Sequence, residues 1–155
     1  MTTSRTFRHI TPGATLPPPR AHTSATATLA AGTAPRAGNP LSAVDHVADF
    51  YGAYTDALTD RGRGQLVDAL RRHYLTPGLH RSLARWEATH HRDGVLRAAG
   101  IPTAWQVDYN DSGTGHCWSR VTLTWEDTGN QPHHTHLVVQ SDLETRRVSG
   151  IREDR

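Results

Sequence analysis

Lysine is missing altogether, cysteine occurs once, and no acidic residue precedes Asp45. A lone cysteine, Cys117, excludes an intramolecular disulfide, so the domain must be held by its core. The absence of lysine points to a coding bias and carries no chemistry. No apolar run reaches the length of a signal-peptide core or a membrane span, so no membrane span is expected. Residues 1–44 hold four arginines (Arg5, Arg8, Arg20, Arg36) and carry +4, while the other 13 arginines face 15 acids and leave −2. The basic balance thus belongs to the N-terminal segment. The remainder has no excess charge with which to neutralise a nucleic-acid backbone. Arg71-Arg72 and Arg146-Arg147 are isolated pairs, so no nucleic-acid partner is expected. Gly-x-Ser-x-Gly is absent, and no helix follows Gly113-Thr114-Gly115, which excludes a nucleophile elbow and a phosphate loop.

What is present divides the chain in two. Residues 1–40 are rich in Thr, Ala and Pro and offer little to bury, so a disordered tail is expected. Residues 41–155 are expected to form one domain. Ser42 followed by Asp45 is a helix-start signature, and Val44, Val47, Ala48, Tyr51, Tyr54 and Leu58 then keep helical spacing. Arg61-Gly62-Arg63-Gly64 breaks that helix. A second, shorter one carries Leu66, Val67, Leu70 and Tyr74 on one side. Thr76-Pro77 marks a third start, with threonine as cap and proline at the first helical position. Leu79, Leu83, Trp86 and His90 continue it, and Arg81, Arg85 and Arg92 form a solvated face. Asp93-Gly94 ends it.

Trp105–Trp125 reads as two alternating strands about a glycine-bearing turn. Trp105, Val107 and Tyr109 share the apolar side with Cys117, Ser119, Val121, Leu123 and Trp125. Gln106, Asp108 and Asn110 share the polar side with His116, Trp118, Arg120, Thr122, Thr124 and Glu126. After a loop at Asp127-Thr128-Gly129-Asn130, His133–Asp142 returns with Leu137 and Val139 inward. A last strand spans Arg146–Ile151, where Val148 and Ile151 can face one side only if a bulge lies near Gly150. Three helices followed by four antiparallel strands predict an α+β fold, with the helices on one face of a curved sheet.

Helices followed by a meander carrying Asp111-Ser112-Gly113, Gly115-His116, Trp118 and Val121-Thr122-Leu123-Thr124-Trp125 resemble an actinobacterial domain-of-unknown-function family, group 3828 or a close relative. Tyr74-Leu75-Thr76-Pro77, Trp86-Glu87, Asp93-Gly94-Val95-Leu96-Arg97 and Ser141-Asp142-Leu143 are similar too. The resemblance covers residues 44–151 and implies a nuclear transport factor 2-like or cystatin-like fold. It implies no catalytic residues. Relatives are exported or lipid-anchored, whereas this chain lacks a signal core and a lipobox cysteine and reads as cytoplasmic as written.

Two constellations carry chemistry. On the polar sheet face, Asp108 opposite Trp118 or His116, together with His116 opposite Asp142, brings an imidazole between two carboxylates. Trp118, Arg120 and Gln140 surround it, a set suited to a protein partner or a homodimer. Within the cone between helices and sheet, Tyr51, Tyr54, Trp86 and Tyr109, with Trp105 and Trp125, form a possible pocket for a small apolar ligand or a lyase- or isomerase-like reaction. His134 and His136 lie on one face about 7 Å apart, as metal ligands can, but beyond Glu126 no acid or thiol is within reach as a third ligand, so neither a metal nor another cofactor is expected. Cys117 alternates with core residues and is expected to be buried and inert. The reading favoured is a non-enzymatic binding module acting through the polar face.

Overall fold

The computed structural model describes residues 35–154 except Asn130, so the expected tail lies outside the described residues as far as residue 34. Among the described residues three helices precede four strands: α1 (Ala43–Arg61), α2 (Gln65–Tyr74), α3 (Pro77–His90), β1 (Ala104–Gly113), β2 (His116–Glu126), β3 (Pro132–Asp142) and β4 (Val148–Glu153). The strands form one antiparallel sheet in the order β1-β2-β3-β4. The helices pack on one face of it, α1 across β1, β2 and β3, and α3 beside β4. The α+β layout expected from the order of elements is what the chain forms.

Local chemistry sets the ends of the helices. Ser42 Oγ accepts the Asp45 N–H at 3.2 Å, and Thr76 Oγ1 accepts the Leu79 N–H at 3.3 Å with Pro77 at the first helical position. Gly62, at φ 65°, closes α1 with a backbone geometry that a side chain strains to adopt. In β2 every odd residue from Cys117 to Trp125 is buried and no even one is, as alternation requires. The helix layer meets this face through Val47, Phe50, Tyr51 and Tyr54, all fully buried against Val121, Leu123 and Leu137. Truncating any such Leu to Ala costs about 2–5 kcal/mol.

Three expectations need correction. The buried side of α2 is Val67 and Arg71, with Leu70 and Tyr74 partly packed, while Leu66 is 63% exposed. Tyr109 lies on the helix-facing side opposite Ser119 but is 61% exposed, whereas Trp105 and Val107 pack partly against the core. The last strand begins at Val148, because Arg146 takes a left-handed φ of 59° in the preceding turn. The bulge expected near Gly150 is present: Gly150 pairs with Gln140 and Val148 with Ser141, which leaves Ser149 as the extra residue. Both Val148 and Ile151 are consequently buried.

Candidate functional site on the open sheet face

The face of the sheet opposite the helices carries the even residues of β2 and β3. His116 stands opposite Asp142 of β3 and Gly113 of β1. The next row runs Asp111, Trp118, Gln140, and the row after it Asp108, Arg120, Val138, Arg152. Trp118 is half-buried and its ring lies 6.0 Å from that of His116. Arg120 pairs with Asp154 at 2.9 Å, and Gln106 donates to Asp108 at 2.8 Å. Val138 is only 3% exposed although it belongs to this face, so the surrounding side chains shield an apolar spot there.

Asp108 is therefore opposite Arg120, not Trp118 or His116 as expected. The cause is the hairpin turn. Thr114 and Gly115 both take positive φ (52° and 78°), a two-residue turn that pairs Gly113 with His116. Continued unbroken, that register would turn Trp105 and Val107 away from the core. A bulge at Asn110 absorbs the mismatch and brings Asp111 to the polar face beside Trp118. Asp111 is thus a site residue that the alternation of β1 concealed.

The remaining carboxylate is committed to the backbone. Asp142 Oδ1 accepts the Thr145 N–H at 2.8 Å and the Thr145 hydroxyl at 3.1 Å, closing the β3–β4 turn. The Thr145 N–H foremost, then its hydroxyl, the Glu144 N–H and the neighbouring His116, hold the Asp142 carboxyl below its ordinary range against the opposing effect of desolvation. His116 Nδ1 is enclosed without a hydrogen-bond partner. No imidazole–carboxylate hydrogen bond forms here. The face thus carries an aromatic ring among side chains of both signs. Cys117, next to His116, turns inward; burial first, and Asp111 second, push its thiol pKa up.

The histidine tract has local partners. His134 Nδ1 and His136 Nδ1 lie 3.1 Å from the hydroxyls of Thr124 and Thr122, and His133 Nδ1 lies 2.9 Å from Asp127. Among the described residues no group of three or more His, Cys, Asp and Glu is placed to hold a metal.

The four residues of the expected inner pocket do not converge. Tyr51 donates to the Val95 carbonyl at 3.1 Å, and Tyr54 donates to Asp93 Oδ2 at 2.6 Å. Trp86 lies half-exposed at the edge, with its ring stacked on His90 at 4.1 Å and the Arg97 guanidinium 4.3 Å from its centre. Tyr109 is outside the cone.

Beneath the helices lies a polar hub that the sequence reading missed. Arg71, 1% exposed, donates to Tyr54 (2.6 and 3.0 Å), to Glu87 (2.6 and 3.2 Å) and to Asp93 (3.1 Å). Arg63 and the Gly94 N–H complete the shell of Glu87 at 2.9 and 2.7 Å, and Asp93 Oδ1 takes the N–H groups of Val95 and Leu96. Burial alone would raise the Glu87 carboxyl, but Arg71, Arg63 and the Gly94 N–H outweigh it and hold the pKa at about 2. Burial and the adjacent Asp93 push the Tyr54 phenol up, so it stays protonated as a donor. A cleft of about 370 Å³ opens beside this hub between Leu58, Arg63, Leu96 and Ile101. Both acids lining it are already saturated, which marks the hub as a clamp joining α1, α2, α3 and the 93–96 turn. Helical spacing from Val67 to Arg71 is the signal that could have found it; the neighbouring Arg72 disguised it as a surface pair.

No protein-family model matches the chain, and no curated protein matches it. Among solved structures, a protein of unknown function from Bacteroides thetaiotaomicron VPI-5482 is similar, with a TM-score of 0.52 and 16% identity over 71% of this chain and 88% of that one. At that identity the likeness concerns the fold alone: helices against a four-stranded antiparallel sheet.

Proposed function

We propose that this chain is a small, non-enzymatic interaction module whose open sheet face binds a protein partner, in the first instance a second copy of itself. The observation that carries the reading is the row Asp111–Trp118–Gln140 on the face that no helix among the described residues covers. Three strands of 10 or 11 residues and a fourth of 6, about 4.8 Å apart, present a face of about 600 Å², close to the 800 Å² per partner of an ordinary specific interface. Asp108 and Asp111 stand at the β1 margin and Arg152 at the β4 margin. Two copies laid face to face about a two-fold axis parallel to the strands therefore bring opposite charges together. The same reading takes the chain as a relative of the group 3828 proteins with a nuclear transport factor 2-like or cystatin-like fold, supported by helices preceding a four-stranded meander. A ligand-binding or lyase-like cone is the weaker alternative, because the tyrosine hydroxyls it needs are spent on Val95 and Asp93.

Sedimentation velocity over a dilution series, read with tryptophan fluorescence, tests the proposal. The wild-type chain is expected to dissociate on dilution. Trp118→Ala is expected to keep its far-UV circular dichroism and weaken association by about tenfold or more, the usual size for a central aromatic. A wild-type chain that stays monomeric when concentrated, with fluorescence unmoved by dilution, sinks self-association.

A further inference from the structure

A second cleft, which shares Arg92 with the one beside the polar hub, has a different composition. It encloses about 490 Å³ and is lined by Trp86, His90, Arg92, Arg97, Arg152 and Glu153. The three guanidinium groups come from three places in the chain: Arg92 just after α3, Arg97 in the loop before β1, and Arg152 on β4. The Arg92 and Arg152 side chains are exposed and form no ion pair or hydrogen bond with any described residue. Arg97 donates through Nη2 to the Ile151 carbonyl at 2.6 Å and lies on the Trp86 ring, yet its Nε is enclosed without a partner. Its backbone is held at φ 57°, a left-handed geometry a branched or long side chain adopts at a cost, by the Asp93–Ala98 pairing that closes the loop.

Basic groups at the end of a helix often do no more than complement its dipole. That accounts for His90 and Arg92. It does not account for Arg97 and Arg152, which reach the same cleft from other elements. Glu153 is the one acid lining the cleft, so positive charge predominates there.

We propose that this cleft binds a phosphate group, as inorganic phosphate or a small phosphate monoester. A carboxylate is satisfied by one guanidinium fork, whereas a phosphate dianion presents oxygens in three directions and matches guanidinium groups arriving from three elements. The volume is that of a small-ligand site, which typically spans about 300–1,000 Å³. Arg152 also stands at the β4 margin of the open sheet face, whereas Arg92 and Arg97 do not, so Arg92→Gln separates phosphate binding from the association proposed there.

Isothermal titration of the full chain at low ionic strength, with inorganic phosphate and separately with phenyl phosphate, is the test, with sodium acetate as the control anion. Binding is expected at millimolar concentration or below, with acetate silent and added NaCl abolishing the signal. Arg92→Gln/Arg152→Gln should weaken it by about tenfold or more, the factor for losing one charge-assisted contact, with an unchanged melting temperature before ligand is added. Should the double variant unfold, Arg92→Gln alone is read in its place. Tighter binding of phenyl phosphate assigns the site to organic monoesters, and equal binding to free phosphate. Absence of heat at about 10 mM phosphate, equal affinity in the variant, or acetate binding as well as phosphate overturns the proposal.

Discussion

Replacing Arg71 with methionine is expected to destabilise the domain by about 3–5 kcal/mol, the usual consequence of removing one partner from a buried ion cluster. The guanidinium makes five hydrogen bonds, to Tyr54, Glu87 and Asp93, whose acidic side chains are 11% and 14% exposed. Methionine retains the apolar stem but leaves both carboxylates without their main counter-charge. Summed separately, charge-assisted bonds of about 1.5–3 kcal/mol each would far exceed the expected loss. Part remains compensated, because Arg63 and the Gly94 N–H still hold Glu87 and the N–H groups of Val95 and Leu96 still hold Asp93. Against a total stability of about 5–15 kcal/mol, the variant sits near the edge of folding. Urea unfolding followed by circular dichroism and tryptophan fluorescence measures the difference. The pH dependence supplies a second readout. The folded pKa of Glu87, about 2, lies below its ordinary 4.5, so the group contributes stability that is fully present above 4.5 and lost as pH falls toward 2. Without Arg71 the acid limb in that window should flatten. A loss below about 1 kcal/mol, or an unchanged acid limb, would refute the clamp and show water screening the cluster.

Two other substitutions probe the packing. A Cβ at Gly94 would sit 3.1 Å from Glu87 Oε1 and 3.2 Å from Leu83 Cδ2, so Gly94→Ala should cost about 1–3 kcal/mol in urea unfolding by overpacking and loosening the clamp. Ser119 is fully buried with an unpartnered hydroxyl. Ser119→Ala should leave stability unchanged or raise it by up to about 1 kcal/mol, and a clear loss of melting temperature would mean that the hydroxyl has a partner in solution, such as an enclosed water.

The β half was legible because parity is a strict signal. Odd residues of β2 face the helices, and pairing about Gly129 sets Thr124 opposite His134 and Thr122 opposite His136. Even the bulge at Ser149 followed from requiring Val148 and Ile151 to share a side. The bulge at Asn110 followed from the same arithmetic but needed a second fact, that Thr114-Gly115 forms a two-residue turn. With the turn length open, alternation alone sets Asp108 opposite Trp118 or His116 and leaves Asp111 on the other face. The exposure of Tyr109 was hidden differently: parity says which side a residue faces, not whether a helix reaches far enough to cover it.

Sequence alone determined what repeats locally: helix starts at Ser42 and Thr76, the break at Gly62, and the inward or outward sense of each β2 residue. These depend on neighbours a few positions away, and backbone geometry enforces them. Tertiary structure decided where charges meet. Arg71 and Glu87 are sixteen residues apart, and Arg97 and Ile151 fifty-four. No periodicity links such positions, because only the packing of α2 against α3, and of the loop against β4, brings them within hydrogen-bonding distance.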